Sequence, residues 1–119
     1  MKHKSVECEV ERLLAVIGGK WKVLILRELF RGPRRHTQIC RALSGISQKV
    51  LTAQLRELEL DSAVQRQDFK TKPPRVEYSL TPFGGRLRRL ILEMHGLARQ
   101  NCERLKRRPP AGRFAKPGL

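Results

Sequence analysis

Aromatic side chains are scarce: 5% of 119 residues, with a single Trp and a single Tyr. Any core must therefore rest mainly on aliphatic side chains. Acid is scarce as well, 11 Asp and Glu against 26 Lys and Arg, for a formal charge of +15. That imbalance points to a polyanionic partner, most simply nucleic acid, with a membrane surface as the rival. No apolar run approaches the roughly 18 residues that a spanning helix needs. The polar opening MKHKSVECEVER also lacks the apolar centre of a signal peptide, so a cytoplasmic protein without a membrane partner is expected. Cys8, Cys40 and Cys102 are odd in number and far apart, which argues against a secreted disulfide framework and for reduced thiols. His3, His36 and His95 are scattered. No Cys or His pair has zinc-ligand spacing and no glycine loop could cradle a phosphate, so no metal, no cofactor and no enzymatic activity is expected.

A chain of this length folds as one domain. The expected body is residues 1–108, one compact unit. Residues 109–119, PPAGRFAKPGL, mix Pro, Gly and Ala with two cations and read as a mobile basic tail. The charge is not a tail effect, because removing the six cations from Arg104 onward still leaves +9 of the +15. No internal repeat stands out.

Within the body, Val10, Leu13, Leu14 and Ile17 share one helical face before Gly18 and Gly19 interrupt. WKVLILREL, residues 21–29, is apolar around most of its circumference, as a helix buried at the centre of a domain would be. Gly32 and Pro33 stop it. Residues 36–43 carry Ile39, Cys40 and Leu43 at helical spacing, and Ser44-Gly45 makes a short break. A further helix then runs to residue 60, with Ser47 as N-cap and Leu51, Leu55 and Leu58 as its apolar stripe. The result is a helix, a turn and a helix.

Residues 64–69 and 75–80 flank the turn-forming KTKPP and form a hairpin. Val76, Tyr78 and Leu80 alternate with Glu77 and Ser79, placing one face on a core and one in solvent. Pro73 and Pro74 stiffen the loop, from which Lys70, Lys72 and Arg75 are expected to project as a cationic wing. Glu77 is expected to pair with a nearby Arg. Thr81 and Pro82 fit an N-cap and first helical position, opening a long helix to about residue 106. The fold class is mainly α with a small β-hairpin, a winged helix-turn-helix.

Cys8 before the first helix, GGKWKVLILREL at 18–29, GISQKVLTAQLRELE at 45–59 and PPRVEYSLT followed by Gly84 together resemble the HxlR-type winged-helix regulators, which are MarR-like. The resemblance spans roughly residues 8–100. It implies a homodimeric bacterial transcription factor, often a repressor, and in several members an N-terminal cysteine that senses oxidants or electrophiles. The chain departs from the family pattern in places. Asp61-Ser62 stands where an Asp-Gly step is usual, giving a left-handed position a side chain at a cost of about 1 kcal/mol. His36 replaces a common Phe, His95 falls near a frequent Trp, and Glu9 replaces the Pro usual after the cysteine.

With the leucine stripe facing inward, the opposite side of residues 48–60 carries Lys49, Thr52, Ala53 and Arg56, with Gln48 at its edge and Gln54 partly toward the core. Lys and Arg can address guanine, Gln adenine, and the Ala and Thr methyls thymine. Ser47 and the first helical amides can hold a phosphate, as can Lys70, Lys72 and Arg75. Leu87, Leu90, Ile91, Met94, Leu97 and Ala98 form a long stripe on the last helix. A second copy would cover that stripe, together with the first helix, and would present two reader helices to a pseudo-palindromic operator in double-stranded DNA.

Cys8 lies between Glu7 and Glu9, with Arg12 one turn onward, and is a redox-sensor candidate. Cys40 fits a core thiol, and Cys102 either packing or a cross-subunit contact. The residues name no effector. Alternatives left open are a nonspecific nucleic-acid-coating or protein-docking winged helix and a metal-sensing repressor.

Overall fold

The computed structural model describes residues 8–106; the expected tail at 109–119 lies outside them. The elements are α1 (Glu9–Ile17), α2 (Lys22–Leu29), α3 (His36–Ala42), α4 (Gln48–Leu60), β1 (Val64–Asp68), β2 (Val76–Leu80), α5 (Pro82–Gln100) and α6 (Cys102–Leu105). Among the described residues this is the order read from the sequence, apart from a break before α6.

The near-continuous apolar surface of α2 has the expected consequence: the helix touches α1, α3, α4, α5 and β2. Ile25 and Leu26 are fully buried and Leu29 almost so. They meet the α4 stripe, where Leu51, Leu55 and Leu58 are no more than 1% exposed. Ile39, Ala63, Val64 and Tyr78 complete the centre. Lys22 is buried among these elements, and its Nζ lies 2.6 Å from Glu57 Oε1 on α4. The bond ties α2 to α4, because a buried ammonium left unpaired would be strongly unfavourable.

Helix α4 ends in a Schellman turn. The Ala63 amide donates to the Leu58 carbonyl and the Ser62 amide to that of Glu59, each at 2.9 Å, while Ser62 adopts φ +62°. The left-handed position expected at Asp61-Ser62 is thus present. The Thr81 hydroxyl then accepts from the Gly84 amide and donates to the Ser62 carbonyl, joining the start of α5 to the end of α4. Gly84 is obligatory there, since a Cβ would collide with the Ala63 carbonyl.

The strands pair antiparallel from Val64 opposite Leu80 to Asp68 opposite Val76. On the other edge of β2, Arg34 and Tyr78 exchange two backbone hydrogen bonds, of 2.9 and 2.8 Å. The strand is therefore flanked on both sides. Glu77 and Ser79 are half-buried rather than solvated as their alternation predicted, because Arg75 covers one and the Gln65 amide donates to the other.

Two expectations, both about the last helix, need correction. The last helix does not run unbroken to about residue 106. At Asn101 the side-chain amide donates to the Leu97 carbonyl and the backbone amide turns to Ala98, a side-chain bond competing with the helical ladder. The first helix buries only Ile17; Val10 and Leu14 are 61% and 51% exposed. The stripe of α5 also divides, since Leu87 and Ile91 pack into the chain's own core at 3% exposure each, so they face this domain rather than a partner. Leu90, Met94, Leu97 and Ala98 remain exposed.

Candidate nucleic-acid interface

Helix α4, the candidate reader, is oriented by its own chemistry. Ser47 is the N-cap of α4, its Oγ accepting from the Val50 amide at 3.1 Å. With the leucine stripe and the Lys22–Glu57 bond fixing the inner side, Gln48, Lys49, Thr52, Ala53 and Arg56 all face outward and line one shallow depression. The five residues selected from the sequence are thus brought together. Gln54 is half-buried at the margin.

Two further residues on this surface escaped the sequence reading. Val50 is 38% exposed on the flank of α4, an apolar position that helical spacing from the stripe would have indicated. His36, at the start of α3, bonds through Nε2 to Thr52 Oγ1 at 2.9 Å. Its separation of 16 residues gave no local signal.

The wing is held mostly by itself. The Phe69 amide donates to the Arg75 carbonyl and closes the hairpin. Lys70 adopts φ +57° and its amide donates to Asp68 Oδ1 at 2.8 Å, while the Thr71 hydroxyl donates to the Pro73 carbonyl. Lys70 and Lys72 are exposed, as a phosphate-facing role requires. Arg75 departs from the expected projecting cation. Its guanidinium donates through Nε and Nη2 to Glu77 Oε2 at 3.2 and 3.1 Å and lies 4.5 Å from the centre of the Phe69 ring. Glu77 thus has the Arg partner expected of it. Arg66 on β1 is a further exposed cation, opposite Tyr78 and on the same strand face as Val64.

The thiols are separate features. Cys8 is exposed at the N-cap of α1, and Cys102 is exposed at the start of α6. Cys40 is half-buried against the core, its Sγ directed at the Ile46 carbonyl at 3.7 Å, which suits the core role expected of it. Among the described residues no cluster of His, Cys, Asp or Glu could hold a metal, and no helix is long and apolar enough to cross a membrane.

A buried helix α2, an α3-turn-α4 pair with a polar outer face, and a basic hairpin packed beside it define a winged helix-turn-helix protein. Residues 16–106 match the HxlR-like helix-turn-helix family, and the chain belongs to that family. It is therefore a DNA-binding transcriptional regulator and not an enzyme. YdeP of Bacillus subtilis, an uncharacterized HTH-type transcriptional regulator, is 47% identical over 87 residues, covering 73% of this chain and 68% of YdeP. The redox regulator HypR in its reduced form matches with a TM-score of 0.79 at 41% identity, over 83% of this chain and 98% of that one. The reduced transcriptional regulator YodB of B. subtilis matches with a TM-score of 0.75 at 37% identity, over 82% of this chain and 96% of YodB.

Proposed function

We propose that the protein is a cytoplasmic homodimer that binds a pseudo-palindromic operator and represses transcription. In this reading α4 enters the major groove, where Gln48, Lys49, Thr52, Ala53 and Arg56 read base edges. Ser47, Lys70 and Lys72 contact phosphates and set the register. The observation that carries the proposal is the outer face of α4. Its side chains are the polar and small ones suited to base edges, and all five are exposed.

Dimerisation is supported by exposed apolar residues on two helices: Val10 and Leu14 on α1, and Leu90, Met94 and Leu97 on α5. A monomer leaves these in water, whereas a two-fold pairing covers them and sets the α4 helices about one DNA turn apart. The domain division follows the same logic, with residues 1–108 forming the binding and dimerising unit and residues 109–119 a basic extension.

The decisive experiment is selection of duplexes from a randomised pool by the purified protein. A palindromic consensus with two half-sites is expected. Recovery of unrelated sequences would favour a coating role, and no recovery at all a docking role.

Control by oxidants is the finer reading. HypR is named a redox regulator and YodB has been solved after diamide treatment, and here Cys8 offers an exposed thiol. Oxidation at Cys8 would act by shifting the dimer between DNA-competent and incompetent geometries. The Cys8→Ser protein is expected to bind the operator as before but to stay bound in diamide. Release that persists in this variant would take Cys8 out of the mechanism.

A further inference from the structure

The hydrogen bond between His36 and Thr52 joins the first residue of α3 to the middle of the reading face, 16 residues away. Its consequence follows from threonine's rotamers. A helical Thr divides between two χ1 states because its hydroxyl can turn back to a carbonyl three or four residues earlier. For Thr52 those are the carbonyls of Lys49 and Gln48. A bond at 2.9 Å to an imidazole on another helix requires Oγ1 to point at that ring and so selects one state. Whichever ring tautomer is present, the hydroxyl commits one of its hydrogen-bonding positions to His36, and the methyl is left in a single direction.

We infer that His36 is a positioning residue for base recognition: it sets how Thr52 presents its methyl and its remaining hydroxyl valence to the duplex, and so fixes the base preference opposite Thr52. The inference rests on the reading of α4 as the base-reading helix. It differs from a packing role for His36, since packing would change overall affinity or stability and leave the order of preferred bases alone. His36 is half-buried while Thr52 is exposed, so the imidazole orients and the threonine meets the base.

The test compares base-preference profiles from randomised-duplex selection for the wild type, His36→Phe, His36→Gln, Thr52→Val and the His36→Phe/Thr52→Val double variant, with thermal melting to confirm folding. His36→Phe and Thr52→Val are expected to lower discrimination at the same one or two base pairs. The drop should be roughly three- to tenfold, the scale of one hydrogen bond or methyl contact. Preference at the positions read by Lys49 and Arg56 should be unchanged. The double variant should show no further loss, because the two residues act as one unit. His36→Gln, which keeps a polar group at similar reach, should recover most of the wild-type profile.

An unchanged profile in His36→Phe, or losses that add in the double variant, would overturn the inference while leaving the function of α4 intact. A wild type with no base preference anywhere would overturn the reading of α4 itself, and this inference with it.

Discussion

Single residues here answer to geometry that composition does not display. Ser62 occupies the left-handed position of a Schellman turn at φ +62°, where a Cβ is unfavourable and glycine is not. Ser62→Gly is therefore expected to raise stability by about 1 kcal/mol, read as a higher melting temperature with DNA affinity unaltered. An unchanged or lower melting temperature would mean that the chain has adapted to the serine. The strain at this position was legible through the family resemblance, because Asp61-Ser62 stands where an Asp-Gly step is usual. Lys22 was not. It lies in an otherwise apolar stretch, and only the fold brings Glu57 to 2.6 Å from it. The partnership of His36 and Thr52 was hidden for the same reason, since side-chain bonds between elements leave no periodic trace.

At the scale of elements, helix spacing and turn chemistry carried most of the information. The α4 stripe, the Ser47 and Thr81 caps and the hairpin all follow from local rules. Where an outcome depended on competition between local and tertiary contacts, local rules fell short. Asn101 ends α5 through its own side chain, and Arg75 folds onto Phe69 and Glu77 instead of projecting. The wing cations consequently have different duties. Replacing Lys70 and Lys72 by Ala is expected to weaken binding evenly across sequences and to reduce the slope of log affinity against log salt by about 0.9 for each phosphate no longer neutralised. Arg75→Ala should instead loosen the hairpin, seen as faster amide exchange across β1 and β2. Affinity titrations from low to moderate salt separate the two, and an unaltered slope in the Lys70/Lys72 variant would remove the wing from the phosphate backbone.

For the molecule as a whole, positive charge and uncovered apolar surface pull in complementary directions. The first suits a polyanion and the second suits a further protein surface. Leu97, 63% exposed on α5, contributes little to its own domain, so Leu97→Asp should leave the fold intact, read as an unchanged far-UV circular dichroism spectrum. It should nonetheless yield monomers at micromolar concentration in sedimentation velocity, with a loss of affinity for two-half-site duplexes exceeding that for a single half-site. A dimer that survives the aspartate would place the interface elsewhere. The extent of α1 and the start of α5 were legible from local signals, whereas the break at Asn101 and the division of the α5 stripe were not. Neighbouring positions on one apolar band look alike until the packing of α2 claims Leu87 and Ile91.

The paired amides and carbonyls of Arg34 and Tyr78 have a mechanical consequence. They clamp the ribbon to the segment that launches α3, so in the proposed complex the probe in one groove and the loop on the adjacent strand would form a caliper of fixed opening. A duplex must conform to that opening, and the work of conforming varies with the stiffness and groove width of each base step. Base pairs that no side chain reaches would thereby be discriminated through the elasticity of the DNA.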